Sequence, residues 1–123
     1  LNANYLASQI DIDIPYGPFH HEFVASAGDV DAAEFAKGML DEGVHPPTTK
    51  WPEIVDEALM TEPTEALNKE QLDVLAAAFT ATSEKSPDEL AEAPTTTAAA
   101  RIDQTSAARN PRLSWRDLEG HDE

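Results

Sequence analysis

The side chains that could do chemistry in this chain are four histidines and four lysines. The histidines are His20, His21, His45 and His121. A metal site needs several such groups at ligating spacing, yet there is no HExxH and no paired carboxylate spacing to complete one. Read as neighbours on a strand, His20 and His21 point to opposite faces and do not share an ion. The expectation is hydrogen-bonded imidazoles and no metal. An imine-forming lysine must be desolvated so that its amine is partly neutral. Lys37 lies off the apolar stripe of its helix, and Lys69 and Lys85 sit at helix ends. Lys50, in a Pro/Thr/Trp-rich loop, is the one that a fold could enclose, and that role needs a built pocket. Serine and histidine are present without a GxSxG elbow, which argues against a hydrolase triad. Five glycines form no phosphate-cradling loop. With no cysteine there is no thiol nucleophile, disulfide framework or zinc ribbon. By composition and spacing the chain holds no complete active site, and no catalytic residue is assigned.

Charge narrows the partners. Eight basic and 24 acidic residues leave a net charge of −16. Nucleic acid and anionic lipid both need a basic surface, so neither is an expected partner. No apolar run approaches the ~20 residues of a membrane span, and no basic-then-apolar leader opens the chain. The chain begins with Leu1 rather than Met, so its natural start is expected upstream. Leu, Ile, Val and Phe number 24 of 123 residues. So few bulky apolar residues with so much charge is a signature of disorder. Well-formed amphipathic segments and 20 alanines favour another reading: a lean-cored globular piece kept soluble in high salt, where the Debye length falls to ~3 Å and self-repulsion is screened. Residues 1–100 carry 4 Lys and 19 acids, a charge of −15, while residues 101–123 carry all four Arg and 5 acids, a charge of −1. The C-terminal segment is therefore expected to dock on an acidic body.

The elements that must position these groups follow from periodicity. Residues 1–9 read as the end of a helix begun upstream. Ile10, Ile12 and Ile14 alternate with Asp11 and Asp13, as in a half-buried strand. After the turn at Pro15, Gly17 and Pro18, residues 19–26 read as a second strand with Phe19, His21, Phe23 and Ala25 on its apolar face. Ala32, Phe35, Ala36, Met39 and Leu40 form one stripe of a helix capped by Asp29 or Asp31 and stopped at Gly43. Pro46 and Pro47 force an extended stretch, and residues 49–52 continue as loop or short edge strand. Residues 58–61 read as a third strand. Asn68 and Gln71 open a helix to about residue 84 whose stripe holds Leu72, Leu75, Ala76 and Phe79. Pro87 opens a shorter helix. Residues 93–100 read as an extended connector, and 107–117 as a weakly structured tail anchored by Trp115. The order β-β-α-β-α implies an α+β domain, a short sheet with helices on one face. Its division is 1–9 connecting helix, 10–92 small domain and 93–123 extended C-terminal segment.

Five stretches together carry a family resemblance: LNANYLA (1–7), HEFVAS (21–26), DEGVHPPT (41–48), EALMTEPTE (57–65), and the region from Glu92, Ala93 and Pro94 to Arg101, Ile102 and Asp103. In order and spacing they resemble the C-terminal end of the glycine dehydrogenase (decarboxylating) P-protein of the glycine cleavage system, nearest to its second subunit where the enzyme is split into two chains. The resemblance runs over nearly the whole chain. It implies the small C-terminal domain of a fold-type-I pyridoxal-phosphate enzyme, with the cofactor and its lysine on an upstream domain. It also implies a cytoplasmic enzyme that decarboxylates glycine and passes the aminomethyl group to the lipoyl arm of the H-protein. Expected partners are the upstream cofactor domain, the other P-protein subunit and the lipoylated H-protein. His21, Glu22 and Phe23 match its HEF motif; His45 to Thr48 match HPPT; Glu62 to Glu65 match EPTE. One departure is Thr95, where the family often has His after Ala-Pro. Substrate or channel candidates are His45 and Thr48, then His21. A buried, hydrogen-bonded His21 sharing a face with Phe19 and Phe23 is the competing reading. Two alternatives from other classes remain. A non-catalytic acidic interaction domain is one. The small domain of another pyridoxal-phosphate enzyme, such as an aminotransferase, is the other, and it would usually need a carboxylate-binding Arg before residue 100.

Overall fold

A computed structural model describes residues 1–115. Its first element, α1 (Asn2–Gln9), buries Ala3 and Leu6 and ends at an extended Ile10. The strand expected over 10–14 does not form. Its alternation is real, since Ile10 is buried, Ile12 and Ile14 are half-buried, and Asp11 and Asp13 are exposed. What it lacks is a ladder: among the described residues its backbone link to β1 (Phe23–Ser26) is one bond, from Ser26 N–H to Asp13 O at 2.8 Å. Period-two patterning fixes a buried face but supplies no hydrogen-bonding edge.

Only the second half of the stretch expected over 19–26 is strand. Phe19 stays outside it and packs its ring 5.7 Å from that of Phe23. β3 (Ala58–Thr61) forms as expected and takes the centre of a three-stranded sheet in the order β1-β3-β2, with β2 reduced to Thr48–Thr49. Both pairings are antiparallel: Phe23 faces Thr61 and Ala25 faces Leu59, while Thr48 faces Met60. β3 is paired along both edges, and its Ala58, Leu59 and Thr61 are buried.

α2 (Ala32–Asp41) is capped by Asp31, whose carboxylate accepts from the amides of Ala33 and Glu34. It buries Ala32, Phe35, Ala36 and Met39 and leaves Leu40 half-buried. Gly43 ends it at φ +78°, the left-handed conformation that favours glycine there. α3 (Lys69–Ser83) starts with the reciprocal Asn68–Gln71 capping box and buries Leu72, Ala76 and Phe79. Ala78, outside the expected stripe, is buried too, and Leu75 is half-buried. α4 (Pro87–Glu92) has its own capping box from Ser86 and Glu89. The core joins Phe23, Ala25 and Leu59 of the sheet to Leu6, Phe35, Met39 and Phe79 of the helices. The fold is α+β. No helix among the described residues is long and apolar enough to cross a membrane.

Beyond α4 the chain runs without helix or strand as far as residue 103. Ala93 and Pro94 are buried, and this connector is fastened to α2 at two carboxylates. Asp41 accepts from the amides of Thr95 (2.7 Å) and Thr96 (2.8 Å) and from both threonine hydroxyls. Arg101 forks onto Glu34 and donates to Ala93 O and Leu90 O, both at 2.9 Å, which caps the end of α4. The expected docking of basic C-terminal residues on an acidic body thus occurs at Arg101. A short exposed helix, α5 (Gln104–Arg109), forms where only weak structure was expected. Trp115 is 72% exposed. The end of the expected 107–117 tail, and His121, lie outside the described residues.

Candidate functional site

The HPPT and EPTE motifs lie 14 positions apart in the chain, from Thr48 to Glu62, and meet in space. The pairing of Thr48 with Met60 carries the 45–48 stretch alongside the strand that runs into 62–65. Between them is a cleft of about 320 Å³. His45, Thr48, Glu62 and Thr64 supply polar groups at its walls, Pro46, Pro47 and Pro63 stiffen them, and Met60, Leu67, Leu75 and Phe79 supply apolar surface. His45 and Thr48 are exposed, so their imidazole and hydroxyl are available to a ligand. His45 also lines an adjoining apolar groove of about 430 Å³ with Val44, Leu67, Val74 and Leu75.

His21 is placed elsewhere. It sits before β1, and its side chain is 76% exposed, so the buried reading fails. Its imidazole lies 4.0 Å from Glu22. His20 and His21 do not take opposite faces of a strand, because the strand begins at Phe23. Both line one cavity of about 350 Å³ with Asn2, Glu62 and Thr64. The 62–65 loop therefore stands between two concavities, His45 and Thr48 on one side and His21 on the other. No group of three or more His, Asp or Glu among the described residues is placed to hold a metal.

Each of the four lysines is engaged by a carboxylate. Lys37 lies 3.5 Å from Glu34, Lys69 2.7 Å from Asp73, and Lys85 2.6 Å from Glu42. Lys50 is not enclosed: it is 52% exposed and reaches Asp31 at 2.5 Å and Glu57 at 3.8 Å. The hydrogen bond that Lys50 donates to Asp31 holds its amine above its usual pKa, and for Lys69 donation to Asp73, then the contact with Tyr5, does the same. These ammonium groups are the reverse of what imine chemistry needs. The Lys50–Asp31–Glu57 cluster is instead a helix-start device. Glu57 accepts from Ala32 N–H at 2.6 Å beside the Asp31 cap, and acids belong at a helix N-terminus.

Sequence reasoning missed Asn2, Asp41 and Glu34. Asn2 Nδ2 donates to Thr64 O at 2.8 Å and to Leu67 O at 3.0 Å. The carboxylate of Asp41 loses solvation, yet donation from Thr96, then Thr95, outweighs this and lowers its pKa. The fork from Arg101 lowers that of Glu34. Asp41 carried a faint signal, an acid at the C-terminal end of a helix, where the macrodipole disfavours it.

A sequence profile for the family described as "Glycine dehydrogenase, C-terminal domain" matches residues 1–105. The chain belongs to that family. A probable glycine dehydrogenase (decarboxylating) subunit 2 of Halobacterium salinarum is 70% identical over 119 residues, 97% of this chain and 25% of that protein. Proteins of the same description from Rhodopirellula baltica and Thermotoga maritima are 41% and 44% identical, over 98% and 94% of this chain and 26% and 27% of theirs. The chain spans about a quarter of the length of the curated relatives it matches. Membership in the glycine dehydrogenase C-terminal domain family removes the aminotransferase and unrelated interaction-module readings. All five resembling stretches fall within the matched residues.

Proposed function

We propose that this chain is part of a glycine dehydrogenase (decarboxylating), in the second of two subunits, and forms a wall of its active site. The observation that carries this is the family match over residues 1–105. The reaction removes CO2 from glycine with pyridoxal phosphate, which acts as the electron sink, and delivers the aminomethyl group to the lipoyl arm of the H-protein. The described residues do not fit the cofactor: an imine lysine and a phosphate cradle are required, and each lysine here is held by a carboxylate. The cofactor is therefore assigned to the upstream domain of the same subunit. The other P-protein subunit and the lipoylated H-protein complete the set of partners.

In this reading residues 1–9 enter as the end of a connecting helix, 10–92 form the small domain, and 93–123 form the C-terminal segment. His45 and Thr48 offer an imidazole and a hydroxyl to substrate or to the arriving arm, and His21 borders the neighbouring concavity. The acidic surface suits a cytoplasm of high salt, and the 70% identical Halobacterium salinarum relative supports that habitat.

The test is reconstitution. Mixed with pyridoxal phosphate and glycine, this chain alone should give no borohydride-trapped imine and release no CO2. Exchange of the glycine carboxyl carbon should appear only with the upstream part of the subunit and the partner subunit. A stoichiometric imine on Lys37, Lys50, Lys69 or Lys85 with CO2 release would refute the reading.

A further inference from the structure

We infer that Asn2 is a positioning residue for this site: from the first turn of α1 it fixes the 62–67 loop, and so sets the lip that divides the His45/Thr48 cleft from the His21 concavity. The inference rests on the functional reading above. Its basis is a hydrogen-bond account. Between β3 and the Asn68 cap of α3 the chain has no regular structure, so its carbonyls need partners from outside a ladder. Asn2 Nδ2 meets two of them, Thr64 O at 2.8 Å and Leu67 O at 3.0 Å. An amide nitrogen has two protons to donate, so both are spent on one turn. Among the described residues the other backbone tie within that turn is Leu67 N–H to Thr64 O at 3.2 Å.

A capping role does not explain Asn2, because it lies inside α1 and both its acceptors are 62 and 65 residues away. Pro63 is buried and Leu67 is half-buried against the core, while Thr64 and Glu65 are exposed, so the loop is anchored at both ends and has a polar crest facing solvent between them. Glu62 and Thr64 line both concavities. Without the Asn2 bonds no side chain among the described residues outside the loop ties Thr64 in place, and the spacing between Thr64 and the His45/Thr48 wall is set by the Pro63 and Leu67 anchors and the Leu67 N–H to Thr64 O bond. Asn2 touches no substrate in this reading. It acts through the loop, and its effect belongs on substrate binding.

The experiment uses the complete two-subunit enzyme, with Asn2→Asp and Asn2→Ala introduced in the full-length second subunit. Asp keeps the shape and replaces both donors by a carboxylate; Ala removes the donors without adding charge. The expected result for both variants is a KM for glycine raised roughly tenfold or more, with kcat within about twofold, the cofactor absorbance unchanged and a melting temperature lowered by no more than a few degrees. A lowered melting temperature with unchanged KM would make Asn2 a structural staple and overturn the inference. Unchanged KM and stability would overturn it as well. If Asn2→Asp does not assemble, Asn2→Ala decides. A His45→Ala/Thr48→Ala double variant separates the two claims. If it raises KM while the Asn2 variants do not, only the Asn2 inference falls. If it too leaves KM and kcat unchanged, the cleft is not part of the site and both fall.

Discussion

Gly38 lies in the interior of α2, where alanine would ordinarily stabilise a helix by about 1 kcal/mol. Here the sign should reverse. A Cβ built on Gly38 falls 2.5 Å from Leu90 Cδ2 and 2.9 Å from Thr82 Cγ2. Ordinary carbon contacts lie at about 3.5–4.0 Å, so both neighbours must retreat, Leu90 by about 1 Å. Neither has room, since Leu90 is 1% and Thr82 0% exposed. Overpacking of this kind costs about 1–3 kcal/mol. Two clashes at one site argue for the upper end, and subtracting the helical gain leaves a net loss of about 2 kcal/mol. Urea denaturation followed by far-UV circular dichroism in molar KCl would measure it. In a Leu90→Ala background the nearer obstacle is gone, and Gly38→Ala should then cost less than about 0.5 kcal/mol or stabilise, a coupling visible in a double-mutant cycle. A rise in urea midpoint for Gly38→Ala in the unaltered chain would refute the reasoning, because helix propensity would then be unopposed and α4 would not be seated on α2.

Phe79 is fully buried against Phe35, ring centroids 6.1 Å apart, so Phe79→Ala should cost about 3–5 kcal/mol; a urea midpoint shift worth less than about 1 kcal/mol would place that face of α3 in water. With a net charge of −16, far-UV circular dichroism should show little cooperative structure at low ionic strength and clear helix in molar KCl, and equal melting temperatures in both would contradict salt adaptation. Acid should loosen the connector. The pKa values of Glu34 and Asp41 are lowered in the fold, so their stabilisation is complete above the unfolded values of about 4 and is lost as pH falls below that range. Amide hydrogen exchange at residues 95–101, corrected for intrinsic rates, should therefore lose protection relative to the core from pH 4 to pH 2, and Arg101→Ala should show that loss already at pH 4. A pH-independent protection ratio would refute it.

Much of the fold was legible because its signals are local. The Asp31 cap, Gly43, the Asn68–Gln71 box and Pro87 each act within one turn, and all four sit where the sequence placed them. The apolar run at 58–61 also announced its strand, though not its central position. What failed were inferences that needed a partner. Residues 10–14 alternate properly but meet no second ladder, and residues 19–22 stop short of the strand that would have buried His21. The cleft was half legible: each motif was visible, but their meeting depends on the Thr48–Met60 register, which neither motif encodes. The fastenings of Asn2, Asp41 and Arg101 span 54 to 67 residues, and no periodicity reports a contact that distant.

The placement of β3 at the centre of the sheet has a consequence for how the chain is made. β1 and β2 both precede it, and neither pairs with the other. Thirty-five positions separate Ser26 from Thr61, so at roughly 5–20 residues per second the nascent β1 waits about 2 to 7 seconds for its ladder partner. During that interval its backbone edge is open to any other extended chain. β1 is only four residues long and is preceded by Glu22, and short, acid-flanked edges are poor templates for mispairing. The shortness of β1 and the charge beside it thus limit mispairing while the sheet waits on the ribosome for its middle strand.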